Sequence, residues 1–293
     1  KGKAIVNILP IPTGVSVAAI LPIDRDEADW SELQIVFATS AGTVRRNALS
    51  DFTNVKSNGK IAMKFEDDHA DTTLINAKIA SPEDDVMLVT ASGRAIRFPS
   101  EDVRVFNSRS SVGVRGVRLT GNDKVVSMSV IRHFDATPDE RSAYLKMRRA
   151  MAGLADDVDA VDEEESSANA TISQARYAEM SAAENLILTL TSKGAGKLSS
   201  SHDYPVRGRG GMGVQAMDKA MRGGSVVASF PVELDDQIML ATSKGQSIRV
   251  PVEGISFRSR SAGGVKVFDT GKGEEVVSVA WIADQGDEAD ETS

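Results

Sequence analysis

Several residue groupings in the chain have the right types for chemistry, and most fail on spacing. Ser201-His202-Asp203 holds the members of a hydrolytic triad. Adjacent side chains cannot converge as nucleophile, base and orienter, so the grouping predicts no hydrolase. Gly208-Arg209-Gly210-Gly211-Met212-Gly213 fits G-x-G-x-x-G. A dinucleotide site needs a strand before that motif and a helix after it. Here Pro205 precedes it, and the strand-like run Val214 to Met217 follows. Asp84-Asp85 and Asp235-Asp236 could hold Mg²⁺ as paired carboxylates. Both precede an apolar run, which reads as an acidic surface turn used twice. Cysteine is absent and there are three scattered histidines, so disulfides and thiolate metal sites are excluded and zinc has no ligand set.

Lysine and arginine are the residues that do recur in a pattern. After four similar turns come Arg45 and Arg46, Arg94 and Arg97, Lys197, and Arg249, with Lys193 and Lys244 inside two of the turns. Before or within a set of glycine-led runs come Lys1 and Lys3, Lys56 and Lys60, Arg109, Arg115 and Arg118, Arg207 and Arg209, and Arg258, Arg260 and Lys266. Such groups bind phosphate through charge-assisted hydrogen bonds, and glycine lets a backbone come close. Aromatic residues make up 5% of the chain and are not interleaved with these charges. That disfavours single-strand binding by base stacking and favours contact with a duplex backbone.

These cations must be carried by a repeated element. Ile35 to Gly42, Val86 to Gly93, Leu186 to Gly194 and Ile238 to Gly245 each run from apolar residues into a turn, with Thr three residues before the glycine. The turn glycines are separated by 51, 101 and 51 residues. Each pattern reads as a β-hairpin. A second series starts at Gly2, Gly59, Gly113, Gly213 and Gly264, with spacings of 57, 54, 100 and 51. One long interval appears in both series and brackets residues 132–184. That stretch therefore reads as an insertion into one repeat. Further strands are expected at Val15 to Leu21, Leu74 to Ala80, Val125 to Ile131, Val226 to Phe230 and Val276 to Ile282. A repeat of about 50 residues and four short strands points to an all-β body of blades. The expected organisation is blades over 1–131 and 185–282, a partly helical or disordered acidic insertion over 132–184, and an acidic disordered tail over 283–293.

The net charge of −8 is unevenly placed. The insertion carries a net −6 and the tail −5, which leaves +3 on the blades. Local clustering sets the field a ligand meets. Within the insertion, Ala143, Met147, Met151 and Leu154 have helical spacing. Ile172 to Met180 reads as a second short helix, and Asp156 to Asn169 as disorder. No apolar run approaches the ~18 residues of a membrane helix. With no leader sequence, the expected compartment is the cytoplasm. Beginning with Lys-Gly-Lys and no Met, the chain is expected to be a fragment or a processed product.

Gly2 to Pro10, Gly113 to Leu119 with Asp123 to Ser127, and Asp235 to Leu240 resemble the C-terminal domain of the bacterial DNA gyrase A protein, one half of a type IIA topoisomerase. The resemblance covers nearly the whole chain outside 132–184. It implies a β-pinwheel, a disc of about five to six four-stranded blades with a strand exchanged between neighbours. The implied function is to bind, bend and wrap duplex DNA around a basic rim for ATP-dependent negative supercoiling. The implied partners are double-stranded DNA, the rest of the gyrase A protein, and the gyrase B protein in an A2B2 complex. No membrane is involved, and the isolated chain is expected to be monomeric. ATP and Mg²⁺ belong to the holoenzyme, as does the catalytic tyrosine; no cofactor, metal or catalytic residue is expected in this chain. The family's box Gln-Arg-Arg-Gly-Gly-Lys/Arg-Gly has its nearest match at Arg207 to Gly213, which differs at three of seven positions and lies late in the chain. The full box is expected upstream of Lys1. The alternatives are the equivalent domain of the topoisomerase IV A protein, or a propeller-type protein-interaction module.

Overall fold

In the computed structural model the described residues are 11, 14–23, 30–56, 59–65, 71–151, 153, 170–218 and 224–282. Lys1 and Lys3, the Gly2 run, Leu154, all of Asp156 to Asn169 and the acidic tail lie outside them. The four expected hairpins are all present. They are β1 (Gln34–Thr39) with β2 (Thr43–Ala48), β4 (Asp84–Thr90) with β5 (Arg94–Pro99), β8 (Leu186–Thr191) with β9 (Ala195–Ser200), and β12 (Gln237–Thr242) with β13 (Ser247–Pro251). Each turn has the same construction. The glycine N–H donates to the carbonyl of the Thr three residues earlier, at 3.0 Å in all four. The Thr Oγ1 accepts the N–H of the residue after the glycine, at 3.1–3.3 Å. Gly42, Gly93, Gly194 and Gly245 have φ of 82°, 79°, 74° and 82°. A side chain at any of them would strain the backbone.

Each later hairpin is followed by two more strands. β6 (Val114–Arg115) and β7 (Val125–Arg132) follow β5, β10 (Val214–Gln215) and β11 (Val226–Val232) follow β9, and β14 (Val265–Lys266) and β15 (Val276–Ile282) follow β13. β3 (Leu74–Ala80) follows β2. The sheets are β3-β1-β2-β6, β10-β5-β4-β7, β11-β8-β9-β14 and β13-β12-β15. The short glycine-led strand therefore joins the sheet of the preceding hairpin, and the long strand after it joins the sheet of its own hairpin. The register repeats: Val44 faces Val114, Ala95 faces Val214, and Gly196 faces Val265. One sequence repeat, Val86 to Met128, thus supplies strands to two sheets.

Two expected strands are absent. Val15 to Leu21 and the Gly59 run carry no ladder, because no hairpin edge among the described residues pairs with them. Leu21, Ala62 and Met63 pack instead against Ile35, Phe37 and Leu49.

The chain divides into two compact units. One comprises the described residues of 1–88, 96–133 and 206–213; the other comprises those of 89–95, 134–205 and 214–293. In the first unit, Val36, Ala38 and Val44 of the first sheet interleave with Val86, Leu88, Ile96 and Phe98 of the second. In the second unit, Leu188, Leu190 and Leu198 pack on Ile238 and Leu240. Burying such side chains contributes roughly 1.5–3 kcal/mol each.

The insertion forms two helices, α1 (Pro138–Met151) and α2 (Gln174–Ala183). Thr137 and Glu140 form a capping box at the start of α1, and Ser173 caps α2. The bond from the Thr137 N–H and the Arg176 guanidinium hold the Glu140 carboxyl below its ordinary value. Tyr144, Leu145 and Met180 form the core of the helix pair. Phe134 and Tyr144 set ring edges against His202, at centroid distances of 5.4 and 5.0 Å.

Candidate nucleic-acid interface

Five of the expected DNA contacts face inward, and the expectation for them is corrected. Arg45 is 0% exposed. Its Nε donates to Asn47 Oδ1 at 2.7 Å, and its Nη1 donates to the Ser111 carbonyl and to Ser111 Oγ. Arg46 donates to the Val103 carbonyl at 2.5 Å and to Gln34 Oε1 at 2.8 Å. Burial lowers both guanidinium pKa values from the ordinary one. Lys197 is 0% exposed, and its Nζ donates to the carbonyls of Ser259, Arg260 and Ala262 at 2.9, 2.5 and 2.6 Å. Arg45 and Lys197 both lie three residues past their turn glycine. Each reaches the carbonyl two residues before a strand glycine, Ser111 before Gly113 and Ala262 before Gly264. These cations hold return loops in place.

Arg97 is also inside. Its Nε donates to Asp85 Oδ2 at 2.8 Å, and Asp85 Oδ1 lies 2.9 Å from His133 Nδ1. Burial lowers the Arg97 pKa, and Asp85 opposes that shift. The two aspartate pairs are consequently not equivalent, which corrects the sequence reading. Asp84 and Asp236 do the same work, accepting the N–H of Ser81 and of Glu233 at 2.7 Å, while Asp85 is a buried ion-pair partner. Arg260, the fifth inward residue, is 5% exposed. It donates from Nε to the Asp203 carbonyl at 2.8 Å and from Nη1 to the Gln215 carbonyl at 2.6 Å.

The Ser201-His202-Asp203 grouping shows no convergence. His202 Nε2 lies 2.8 Å from the Met180 carbonyl, and Asp203 Oδ2 accepts the Arg260 N–H at 2.6 Å. Among the described residues no group of three His, Asp or Glu could hold a metal ion, and no helix is long and apolar enough to cross a membrane.

Other basic residues reach the surface. In the first unit Lys56, Arg115, Arg118, Arg207 and Arg209 are exposed. Arg115, Arg118 and Lys124 line one open groove with Thr43, Gly113 and Asn122. Lys56, Lys60 and Arg109 line a second. Lys60 Nζ is partly engaged by the carbonyls of Asp51 and Thr53. The loop holding Arg207 and Arg209 is laid along residues 115–118 by Gly210 N–H to the Gly116 carbonyl, 2.6 Å, and Arg118 N–H to the Gly211 carbonyl, 2.8 Å. In the second unit Arg249 is exposed, Lys244 donates to the Lys272 carbonyl, Lys193 pairs with Glu275 and Lys266 pairs with Asp269. Arg94 and Arg258 are half-buried. The sequence reading missed Arg104, exposed and 4.3 Å over the Phe106 ring, and Lys124 in its groove. Lys124 sits next to Asp123 in a turn signature, a signal that was available.

The outward cations thus ride on a four-fold repeat of hairpin and long strand, with an exchanged short strand in three of the four repeats. The model of the "DNA gyrase C-terminal domain, beta-propeller" family matches that repeat four times, over residues 34–72, 84–132, 185–233 and 236–280. The chain belongs to the DNA gyrase C-terminal domain family. Curated relatives agree. The chain is 43% identical to the DNA gyrase A protein of Granulibacter bethesdensis and 39% identical to that of Rickettsia bellii, covering 99% and 100% of this chain and 32% of each relative. It therefore spans about a third of their length. Among solved structures, the C-terminal domain of DNA topoisomerase IV matches with a TM-score of 0.70 at 19% identity, over 96% of this chain and 70% of that one. A DNA gyrase A C-terminal domain matches with a TM-score of 0.60 at 21% identity, over 86% and 67%. At those identities the structures establish the shared fold, the all-β pinwheel of this domain family.

Proposed function

We propose that this gyrase C-terminal domain binds duplex DNA through its outward lysines and arginines and bends it into a wrap. The wrap would present a segment for strand passage, serving ATP-dependent negative supercoiling by an A2B2 holoenzyme. The four-fold family match carries this reading. The surface chemistry supports it: Lys56, Arg115, Arg118, Lys124, Arg207 and Arg249 stand outward on the repeats and suit phosphate oxygens. Contacts to the backbone carry no sequence information, so binding is sequence-independent. Bending 20–30 base pairs by 40–90° costs roughly 1–6 kcal/mol. Counterion release at many phosphates can offset that cost. ATP, Mg²⁺, the catalytic tyrosine and the gyrase B protein belong to the rest of the enzyme in this proposal, which places it in the cytoplasm, with the isolated domain monomeric.

The topoisomerase IV reading draws on the higher TM-score. The curated relatives matched over the whole chain are gyrase A proteins, which favours gyrase. The test is to bind the chain to nicked circular DNA, ligate, and measure the linking-number change. A shift of one sign that grows with bound protein is expected. Binding without a shift would overturn wrapping.

A further inference from the structure

Three arginines occupy one place in the repeat. Arg109, Arg209 and Arg260 each lie four residues before the glycine of their own short strand, Gly113, Gly213 and Gly264. Each donates Nη1 to the carbonyl of the residue two past the strand glycine of the preceding repeat. The acceptors are Ile61 at 3.2 Å, Arg115 at 3.0 Å and Gln215 at 2.6 Å. Arg209 and Arg260 also donate Nε to the carbonyl of the aspartate that ends a 3-10 turn, Asp102 at 2.9 Å and Asp203 at 2.8 Å. The same two guanidinium edges thus meet the same two backbone positions, one repeat apart.

We propose that Arg109, Arg209 and Arg260 are positioning residues for DNA wrapping, fixing the step from each repeat to the one before it and so the curvature the duplex must follow. The proposal rests on the wrapping function above. A planar guanidinium donating to two carbonyls fixes orientation as well as distance, and a lysine ammonium, a rotatable point donor, fixes distance alone. The surroundings of the three differ. Arg260 is buried, with the Asp203 carboxylate 3.6 Å from its Nε. Arg209 is exposed and held by carbonyl oxygens. It is therefore the position where the step can be loosened without burying an unpaired charge.

The test uses charge-conserving substitutions in the full chain, Arg209→Lys beside Arg132→Lys. Short-duplex affinity, its salt slope, and linking-number change per bound chain are measured, with melting to verify folding. Arg209→Lys should keep affinity within about twofold and leave the slope unchanged, since the charge remains. It should lose at least about half of the linking-number change, because the planar fork that sets the orientation of the step is gone. Arg132→Lys should keep all three, because this exposed arginine at the end of β7 lies outside the proposed interface and outside the repeat-to-repeat bonds. Arg109→Lys, in an independent repeat, should lose a smaller part of the linking-number change, since Arg109 shares only the Nη1 bond to the preceding repeat. A wild-type linking-number change in Arg209→Lys overturns the positioning role. So does a loss that merely tracks lost affinity, which would make Arg209 a phosphate contact. If the wild-type chain binds but gives no shift, the wrapping function itself falls, and the positioning role with it.

Discussion

Lys197 shows why a basic residue in this repeat cannot be assigned from its type. It sits on a hairpin strand beside positions that are exposed elsewhere, yet its ammonium is consumed by three backbone carbonyls of the 259–262 loop. Replacing it with methionine keeps the stem and removes the donors. Buried acceptors left without partners cost about 1–3 kcal/mol each. Lys197→Met is therefore expected to lower the melting temperature markedly while leaving duplex affinity below the transition unchanged; a drop in affinity without a drop in stability would return Lys197 to the interface. Tyr204, buried beside Asp203, has its phenol pushed up to about 12 by loss of solvation first and by the Asp203 charge second. The neutral form is the one the fold holds, and the unfolded phenol ionises near pH 10. Its contribution is thus fully present below about pH 10 and is lost as pH rises from there toward 12. Tyrosinate absorbance should show two tyrosines titrating late, Tyr204 and the buried Tyr144, whose phenol is also pushed up by burial, together with loss of structure.

The turns and the exchanged strands define the element scale. Gly194 and Gly245 share a left-handed backbone, and their surroundings separate them. A Cβ on Gly194 would lie 2.2 Å from the Phe268 carbonyl oxygen, where the incoming strand segment docks on the Gly194 carbonyl; a Cβ on Gly245 meets nothing within 4 Å. Gly245→Ala should cost about 1–2 kcal/mol of backbone strain. Gly194→Ala should cost clearly more, since residues 267–268 must also move. Urea denaturation of the two variants decides this; equal losses would show that the strand docking adds nothing. Helix positions in the insertion were readable within a few residues, because capping residues and apolar spacing are local. The offset between Asp84-Asp85 and Asp235-Asp236 was readable, because Asp84 and Asp236 each lie nine residues before their turn glycine; the burial of Asp85 against Arg97 was not, since it depends on a partner from another strand.

For the whole molecule, the net charge of −8 argues against DNA while the outward cations argue for it. Salt dependence separates the two. Each neutralised phosphate contributes a slope of about −0.9 in log affinity against log salt. Arg118→Gln should reduce the slope by about one such unit, and Lys197→Met should leave it unchanged. A slope near zero for the wild-type chain would end the proposal. The sequence by itself determined the repeat, the four hairpins and the place of the insertion, because turn glycines, their threonines and strand alternation act within a few residues. It also carried enough ordered identity to place the family. The tertiary structure alone decided which strand completes which sheet and which cations face outward. Those choices depend on backbone carbonyls brought from a neighbouring repeat, and a carbonyl has no side chain by which a sequence could announce it.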